Sequence, residues 1–231
     1  MKCWICGEEA TTGEHLLKAA SLRALFTTVS QTRPIFYNSE RKRNKRLQSI
    51  DSKYLKSKSL CARCNSSRTQ AADRAFDILM SYLEGLPSKV LAQSSVRMNR
   101  LFPYCTRAQS VQLHLYFVKL FGCLVREGEV PIDLGDFSAA ICSGKPHPDI
   151  YVAIGAMDRA IAGGSGTAGL SDMHCDFYKD GKPAFVAWFM HMGDVCIQVM
   201  LAAAGEHRDG LINSWHPSRN KRLLLREFPK E

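Results

Sequence analysis

The 231-residue sequence predicts an α+β fold, in which a cysteine-stapled N-terminal module precedes a helix-plus-antiparallel-sheet domain. Two observations predict the module: Cys3 and Cys6 are matched by Cys61 and Cys64, and an amphipathic helical pattern follows the second pair. A third observation predicts the domain, because a long apolar helical stripe after residue 107 gives way to several short apolar runs with strand character.

The two cysteine pairs predict a structural zinc site. Each pair has C-x2-C spacing, which turns two thiolates toward one ion, and two such pairs supply the four ligands of tetrahedral Zn²⁺. Unrelated buried thiols and a purely structural zinc ribbon are the alternatives for these four residues. The other cysteines occur singly among apolar neighbours, which predicts reduced, buried thiols at Cys105, Cys123, Cys142, Cys175 and Cys196.

The remaining elements of the N-terminal module follow from periodicity and from turn residues. Residues 15–27 have a partly helical pattern, and the polar, basic segment 31–58 predicts a long loop or a loose hairpin. Residues 65–67 supply helix-capping side chains before a helix that ends near Gly85 and Pro87. The predicted core face of this helix is formed by Ala72, Ala75, Phe76, Leu79, Met80 and Leu83.

The second half opens with a strong helical pattern between Val111 and Val125. Strands are then predicted at 150–154, 173–178, 184–190 and 195–201, with a hairpin turn at 179–182. The predicted organisation is a module over residues 1–87, a linker or short helix over 88–106, and an α+β domain over 107–231. This last domain is expected to select a target, to sense a trigger, or to form a homo-oligomer or bind a partner protein.

Glu14 and His15 lie between the cysteine pairs, and Asn65 directly follows the second pair. An imidazole has a pKa near neutrality and suits a general base, whereas carboxylate and amide oxygens suit a hard divalent cation. Adjacent residues of a regular strand point to opposite faces. A single site containing both Glu14 and His15 therefore requires an irregular or bulged backbone, which we expect here.

This order of motifs resembles the HNH endonucleases, the zinc-bearing branch of the ββα-metal superfamily, over roughly the first 85 residues. The resemblance implies a zinc-stapled ββα-metal module that hydrolyses DNA phosphodiester bonds, with His15 as general base and with Glu14 and Asn65 holding Mg²⁺ or Mn²⁺. The chain departs from the family in having Glu14 where Asp is usual and no central Asn within 53–58. The alternative is a non-catalytic zinc-knuckle protein that binds nucleic acid.

Positive charge is concentrated in the first half of the chain. Residues 1–107 contain 19 Lys and Arg against 8 Asp and Glu, whereas residues 108–231 contain 12 against 14. This asymmetry indicates a polyanionic partner for the first half, and duplex DNA is expected because Tyr54 is the one aromatic residue interleaved with the basic run 41–58. RNA and a merely solvated basic face are the alternatives. Arg68 is expected near the scissile phosphate, and the other predicted nucleic-acid contacts are Arg41, Lys42, Arg43, Lys45, Arg46, Lys53, Lys56, Lys58 and Arg63.

The sequence predicts neither a membrane span nor a secretory signal. The start of the chain has no apolar signal segment, and the longest apolar stretch, residues 184–204, is interrupted by His191 and Asp194. Together with the predicted reduced thiols, these features predict a cytoplasmic protein.

Overall fold

Two short β-ladders and a seven-stranded sheet organise the described part of the chain. The computed structural model describes residues 1–39, 42–157 and 166–228. The first ladder is antiparallel and pairs β1 (Thr12–His15) with β4 (Lys56–Leu60). The second forms a hairpin of β2 (Ile35–Ser39) and β3 (Lys42–Leu47), so the basic segment that was expected to be a loop or a loose hairpin contains a paired hairpin.

The sheet has the order β5-β11-β6-β10-β9-β7, and β8 also pairs with β9. Its strands are β5 (Ser95–Arg97), β6 (Ile150–Ala156), β7 (Ala168–Leu170), β8 (His174–Phe177), β9 (Pro183–Met192), β10 (Val195–Ala202) and β11 (Arg222–Glu227). The four strands predicted in this half correspond to β6, β8, β9 and β10. The expected all-antiparallel pattern is wrong at one position, because β11 pairs with β6 in parallel. A parallel neighbour requires a crossover, and residues 203–221 provide it.

The helices are α1 (Ala19–Phe26), α2 (Ala62–Asn65), α3 (Gln70–Glu84), α4 (Ser88–Gln93), α5 (Met98–Leu101), α6 (Thr106–Glu127), α7 (Gly135–Ser143) and α8 (Asp209–Ile212). Thus α3 and α6 occur where periodicity predicts them. The segment 88–106, expected to be a linker or a short helix, contains α4, β5 and α5. Leu91, Val96 and Met98 of this segment are buried, so it packs against its neighbours along with the rest of the fold.

One hydrophobic core runs through both halves of the chain. Phe76 of α3 stacks on Tyr116 of α6 with ring centroids 3.9 Å apart. Trp4, between the first two cysteines, packs directly against α6 at Gly122, where a Cβ atom would approach the indole to 2.5 Å. The N-terminal module is therefore docked on the long helix of the second half.

A fully buried lysine joins the same elements electrostatically. Lys119 of α6 has no solvent-exposed side-chain surface, and its Nζ lies 2.7 Å from Glu14 Oε1 and 2.8 Å from Asp73 Oδ1. Lys18 extends this network, because its Nζ lies 3.4 Å from Asp73 Oδ1 and 3.2 Å from Asp77 Oδ2. Burial alone would lower the pKa of Lys119, but the Glu14 and Asp73 carboxylates outweigh it and raise that pKa. The ammonium is therefore charged within the core.

The single cysteines differ from the prediction in their burial. All nine cysteines are free thiols, but Cys105 and Cys142 are exposed and Cys175 is half-buried, whereas Cys123 and Cys196 are buried as expected. Cys105 and Cys142 lie at helix ends, where an apolar neighbourhood in sequence does not guarantee burial. Among the helices of the described ranges, none combines the length and apolar character that crossing a membrane requires.

We expect Lys119→Met to reduce the free energy of unfolding by about 3–5 kcal/mol near neutral pH, because it leaves the Glu14 carboxylate without its close cation, whereas Asp73 keeps Lys18. The loss should be smaller at pH 5 than at pH 8. Burial already raises the pKa of the Glu14 carboxyl, and a carboxyl with a raised folded-state pKa favours the folded state when it is protonated. Denaturant unfolding at the two pH values measures both effects.

Lys182→Met is the matched control, because Lys182 is 79% exposed and pairs with Asp180 on a surface turn. This variant should change stability by less than about 1 kcal/mol. An equal loss in the two variants would contradict a structural role for the buried network.

Candidate metal centre and histidine site

The four cysteines of the two C-x2-C pairs converge at one point. Their Sγ atoms all lie within 4.8 Å of one another, and Cys6 Sγ is 3.6 Å from Cys61 Sγ. Tetrahedral Zn–S bonds of about 2.3 Å place sulfur atoms about 3.8 Å apart, which agrees with this packing. The cluster can therefore bind a zinc ion, as the cysteine spacing predicts.

Local backbone structure holds both cysteine pairs in place. After Cys6 the chain turns through Gly7, whose φ of +77° lies in the left-handed region, and the Gly7 amide donates to the Cys3 carbonyl over 2.8 Å. The second pair caps α2, because Cys61 Sγ accepts a hydrogen bond from the Cys64 amide. The first pair also contacts the second half of the chain, since Ser138 Oγ donates to the Ile5 carbonyl over 2.6 Å.

Arg68 contacts the cysteine cluster. Its Nη1 donates to Cys64 Sγ over 3.2 Å, an interaction that stabilises a thiolate ligand. The sequence predicts Arg68 near a scissile phosphate, whereas in the structure its guanidinium contacts the cysteine cluster. Arg63, on the exposed side of α2, makes no comparable contact with the cysteines among the described residues.

Glu14 and His15 have entirely different surroundings. The register of β1 against β4 shifts between Thr12 and Glu14, so the expected irregularity lies before Glu14 and not between Glu14 and His15. Glu14 is paired with Ser57, which is buried, and its carboxylate contacts Lys119. His15 is paired with Lys56 and contacts Ile50 and Asp51. The two residues therefore face opposite sides of the β1–β4 ladder, as alternation along a regular strand requires.

The side chain of His15 is held in one orientation by the loop that follows β3. His15 Nε2 lies 3.1 Å from the Ile50 carbonyl oxygen and 3.5 Å from Asp51 Oδ1. A carbonyl oxygen can only accept, so Nε2 carries the proton of the neutral ring and Nδ1 carries the lone pair. Among the described residues none is recorded as donating to Nδ1, and 17% of the His15 side-chain surface is exposed.

The electrostatic surroundings of His15 keep its imidazole neutral. Partial burial lowers the pKa of His15, and the nearby Lys56 and Arg23 lower it further, whereas the Ile50 carbonyl and Asp51 act in the opposite direction. The net pKa is below the ordinary value of a histidine, so the ring is a free base at neutral pH.

Asn65 lies at the end of α2, beside the cysteine cluster. Its Oδ1 is buried and accepts no hydrogen bond from the described residues. A buried amide oxygen that accepts no hydrogen bond can serve as a ligand for a hard cation. It is not a helix cap, because Cys61 caps α2 and Thr69 precedes α3.

Glu14, the other predicted ligand of Mg²⁺ or Mn²⁺, is already neutralised. The Lys119 ammonium lies 2.7 Å from its carboxylate, and only 13% of the Glu14 side chain is exposed. A divalent cation bound to this carboxylate would lie next to a buried positive charge and would be repelled by it. Glu14 and Asn65 in their present arrangement therefore do not fit a shared hard cation.

The predicted nucleic-acid contacts lie mainly on the β2–β3 hairpin and beside it. Arg41 and the side chain of Lys42 lie outside the described residues. Lys56 differs from the rest, because its Nζ forms an ion pair with Asp51 Oδ1 at 2.9 Å. The exposed members of the set are Arg43, Lys45, Arg46, Lys53, Lys58 and Arg63.

Two groups that contact Glu14 and His15, the Lys119 ammonium and the Ile50 carbonyl, were not predicted from the sequence. The sequence does mark Lys119 as unusual, because it is the one Lys, Arg, Asp or Glu residue in the apolar stretch from Val111 to Val125 of α6. A lone charge on such a helix indicates a buried ion pair. The Ile50 carbonyl gave no signal, since every residue has a backbone carbonyl.

Comparison of the chain with protein-family models, with curated proteins and with solved structures found no match.

We expect the purified protein to contain one zinc ion per chain, bound through Cys3, Cys6, Cys61 and Cys64. Cys61→Ser should abolish stoichiometric zinc and destabilise the N-terminal module, because metal binding contributes directly to the folding of such sites. Elemental analysis with thermal unfolding measures both quantities. Cys105→Ser is the matched control, since Cys105 is exposed and distant in sequence from the pairs, and it should keep both properties. Folded wild-type protein without zinc would contradict the assignment.

Proposed function

We propose that this chain is an HNH-type endonuclease that hydrolyses DNA phosphodiester bonds, with His15 as the general base. The observation that carries the proposal is the state of the His15 ring. Its Nε2 is hydrogen-bonded to the Ile50 carbonyl, which leaves Nδ1 as the basic nitrogen, and its lowered pKa favours the unprotonated ring. A histidine prepared in this way can remove a proton from water at neutral pH.

The surroundings of His15 also suit an anionic substrate. Lys56 is its cross-strand neighbour, and Arg23 is close enough to affect its pKa. We propose that these cations face the phosphate while Nδ1 takes a proton from water. The resulting hydroxide attacks phosphorus, the bond to the leaving oxygen breaks, and that oxygen takes a proton from solvent.

The order of elements supports the HNH assignment independently of His15. Strands β1 and β4 form an antiparallel ladder, α2 and α3 follow β4 directly, and the cysteine cluster joins the segment before β1 to α2. This order is compatible with the zinc-stapled ββα module that the resemblance implies, and it supports the proposal. In the proposal, the Ile50 carbonyl orients the base, which is the task of the central Asn that the sequence lacks.

The dependence on Mg²⁺ or Mn²⁺ is a separate part of the proposal, and the arrangement of Glu14 does not support it. The same observation favours a second function, a zinc-knuckle protein that binds nucleic acid without cutting it. Binding needs neither an unprotonated His15 nor a free Glu14 carboxylate. Cleavage of duplex DNA distinguishes the two functions.

We expect the protein to cleave plasmid DNA and His15→Ala to reduce the cleavage rate by about 10²–10⁴-fold, the usual contribution of a general base. The assay should be run without added divalent cation, with Mg²⁺ and with Mn²⁺. His174→Ala is the control, because His174 is 70% exposed on β8 and should retain full activity. Zinc content and DNA affinity should be unchanged in both variants. A His15→Ala variant with half the wild-type rate would refute the base assignment.

The pH dependence of cleavage gives a sharper test of the same residue. Because the pKa of His15 is lowered, the acidic limb of kcat/KM should lie below pH 6.5. Lys56→Met removes a cation that lowers this pKa and should move the limb to higher pH. Asp51→Asn removes an anion that raises it and should move the limb to lower pH. Equal profiles in the three proteins would show that a different group controls the rate.

A further inference from the structure

An aromatic side chain stands on the outer face of the basic hairpin. Phe36 of β2 is 61% exposed, although the residues on either side of it are partly buried. Its cross-strand neighbour is Arg46 of β3, and this pair shares one face of the hairpin. A large apolar side chain exposed among cations indicates a partner that offers both a flat apolar surface and negative charge.

The opposite face of the hairpin fixes this orientation. Leu47 is buried, with 4% of its surface exposed, and Tyr37 stacks on Tyr54 with ring centroids 5.8 Å apart. Lys45 and Lys53 lie over the same Tyr54 ring, at 5.8 and 5.7 Å from its centroid. Because side chains alternate along a strand, anchoring Tyr37 and Leu47 directs Phe36 and Arg46 outward.

The charges of the hairpin are available to an external anion. Among the described residues, no carboxylate forms an ion pair with Arg43, Lys45, Arg46 or Lys53. The guanidinium of Arg46 donates to the Gln31 carbonyl, which positions the group without neutralising it. This contrasts with the core, where Lys18 and Lys119 are both paired with carboxylates.

The hairpin is also close along the chain to Ile50, which contacts His15. Ile50, whose carbonyl holds His15 Nε2, follows Arg46 by four residues. An extended chain spans at most about 3.6 Å per residue, so the Cα atom of Arg46 lies within about 14 Å of that of Ile50. At 3.4 Å per base step, this distance is roughly four steps of duplex DNA.

We propose that Phe36 is an intercalating wedge, which inserts between base pairs of duplex DNA within a few steps of the bond presented to His15. The exposed cations of the hairpin contact the flanking phosphates, and the ring replaces the base stacking that the wedge interrupts. The inference rests on the proposed function for the position of the scissile bond. It assigns a role in substrate distortion to a residue outside the basic run itself.

A wedge should favour DNA in which unstacking is already easy. Binding is measured, without added Mg²⁺ or Mn²⁺, to an intact short duplex and to duplexes in which an abasic site is moved one step at a time. Unstacking costs a few kcal/mol per step, so the wild type should bind the best-placed abasic duplex at least about tenfold more tightly than the intact one. The same preference should appear in cleavage rates.

Phe36→Ala should remove this preference and bring the affinity ratio close to one. Because Phe36 is exposed, the variant should fold normally. Phe36→Trp should keep the preference, and Tyr104→Ala is the matched control, since Tyr104 is 96% exposed and lies outside the hairpin. Phe36→Ala should also leave the salt dependence of binding unchanged, whereas Arg43→Gln should reduce its log–log slope by about 0.9.

The outcomes separate the wedge from the endonuclease activity. If Phe36→Ala keeps the wild-type affinity ratio, the wedge is wrong, whether or not the protein cleaves DNA. A change in the protein's sedimentation behaviour in Phe36→Ala, with DNA binding unaltered, would instead identify a protein contact and equally overturn the proposal. Loss of the preference in Phe36→Ala, in a protein that never cleaves, would support the wedge and refute the endonuclease.

Discussion

The buried ammonium of Lys119 is the interaction on which the geometry of this protein depends. A lysine without any exposed side-chain surface requires nearby carboxylates, and Glu14 and Asp73 supply them at 2.7 and 2.8 Å. These three residues belong to β1, α3 and α6, so the two halves of the chain are joined by a contact that tolerates little displacement. Because Glu14 must face inward to reach Lys119, strand alternation turns His15 outward. The core thus determines which residue of the Glu-His pair contacts Lys119.

The cysteine cluster constrains the same strand from its other end. It holds the chain before β1 next to the chain after β4, and Trp4 docks this knuckle on α6 at Gly122. The close approach of an indole to a helix backbone is possible only where the helix has no side chain. Arg68 donates a hydrogen bond to Cys64 Sγ and thereby links the cluster to the segment between α2 and α3. The β1–β4 ladder therefore lies between an ionic contact and the cysteine cluster, and both join it to helices.

Local patterns in the sequence predicted the parts of this structure that depend on local interactions. The C-x2-C spacings located the cysteine cluster, and helical periodicity located α3 and α6. Strands β5, β7 and β11 were missed, because β5 and β7 have only three residues each and β11 pairs with segments distant in sequence. The inward direction of Glu14 was equally unpredictable, since its partner Lys119 lies more than 100 residues away. Phe36 was overlooked because the alternation that exposes it occurs in a polar hairpin, where no continuous apolar face marks the register.

The excess positive charge of the first half is divided between two environments, and this division explains where an anion would bind. Lys18, Lys56 and Arg68 each have a partner within the protein: the Asp73–Asp77 pair, Asp51 and Cys64 respectively. The cations of the hairpin have no such carboxylate partner within the described residues, so their field extends into solvent. His15 contacts the Ile50 carbonyl just after that hairpin, and along β1 it alternates with Glu14, which contacts Lys119.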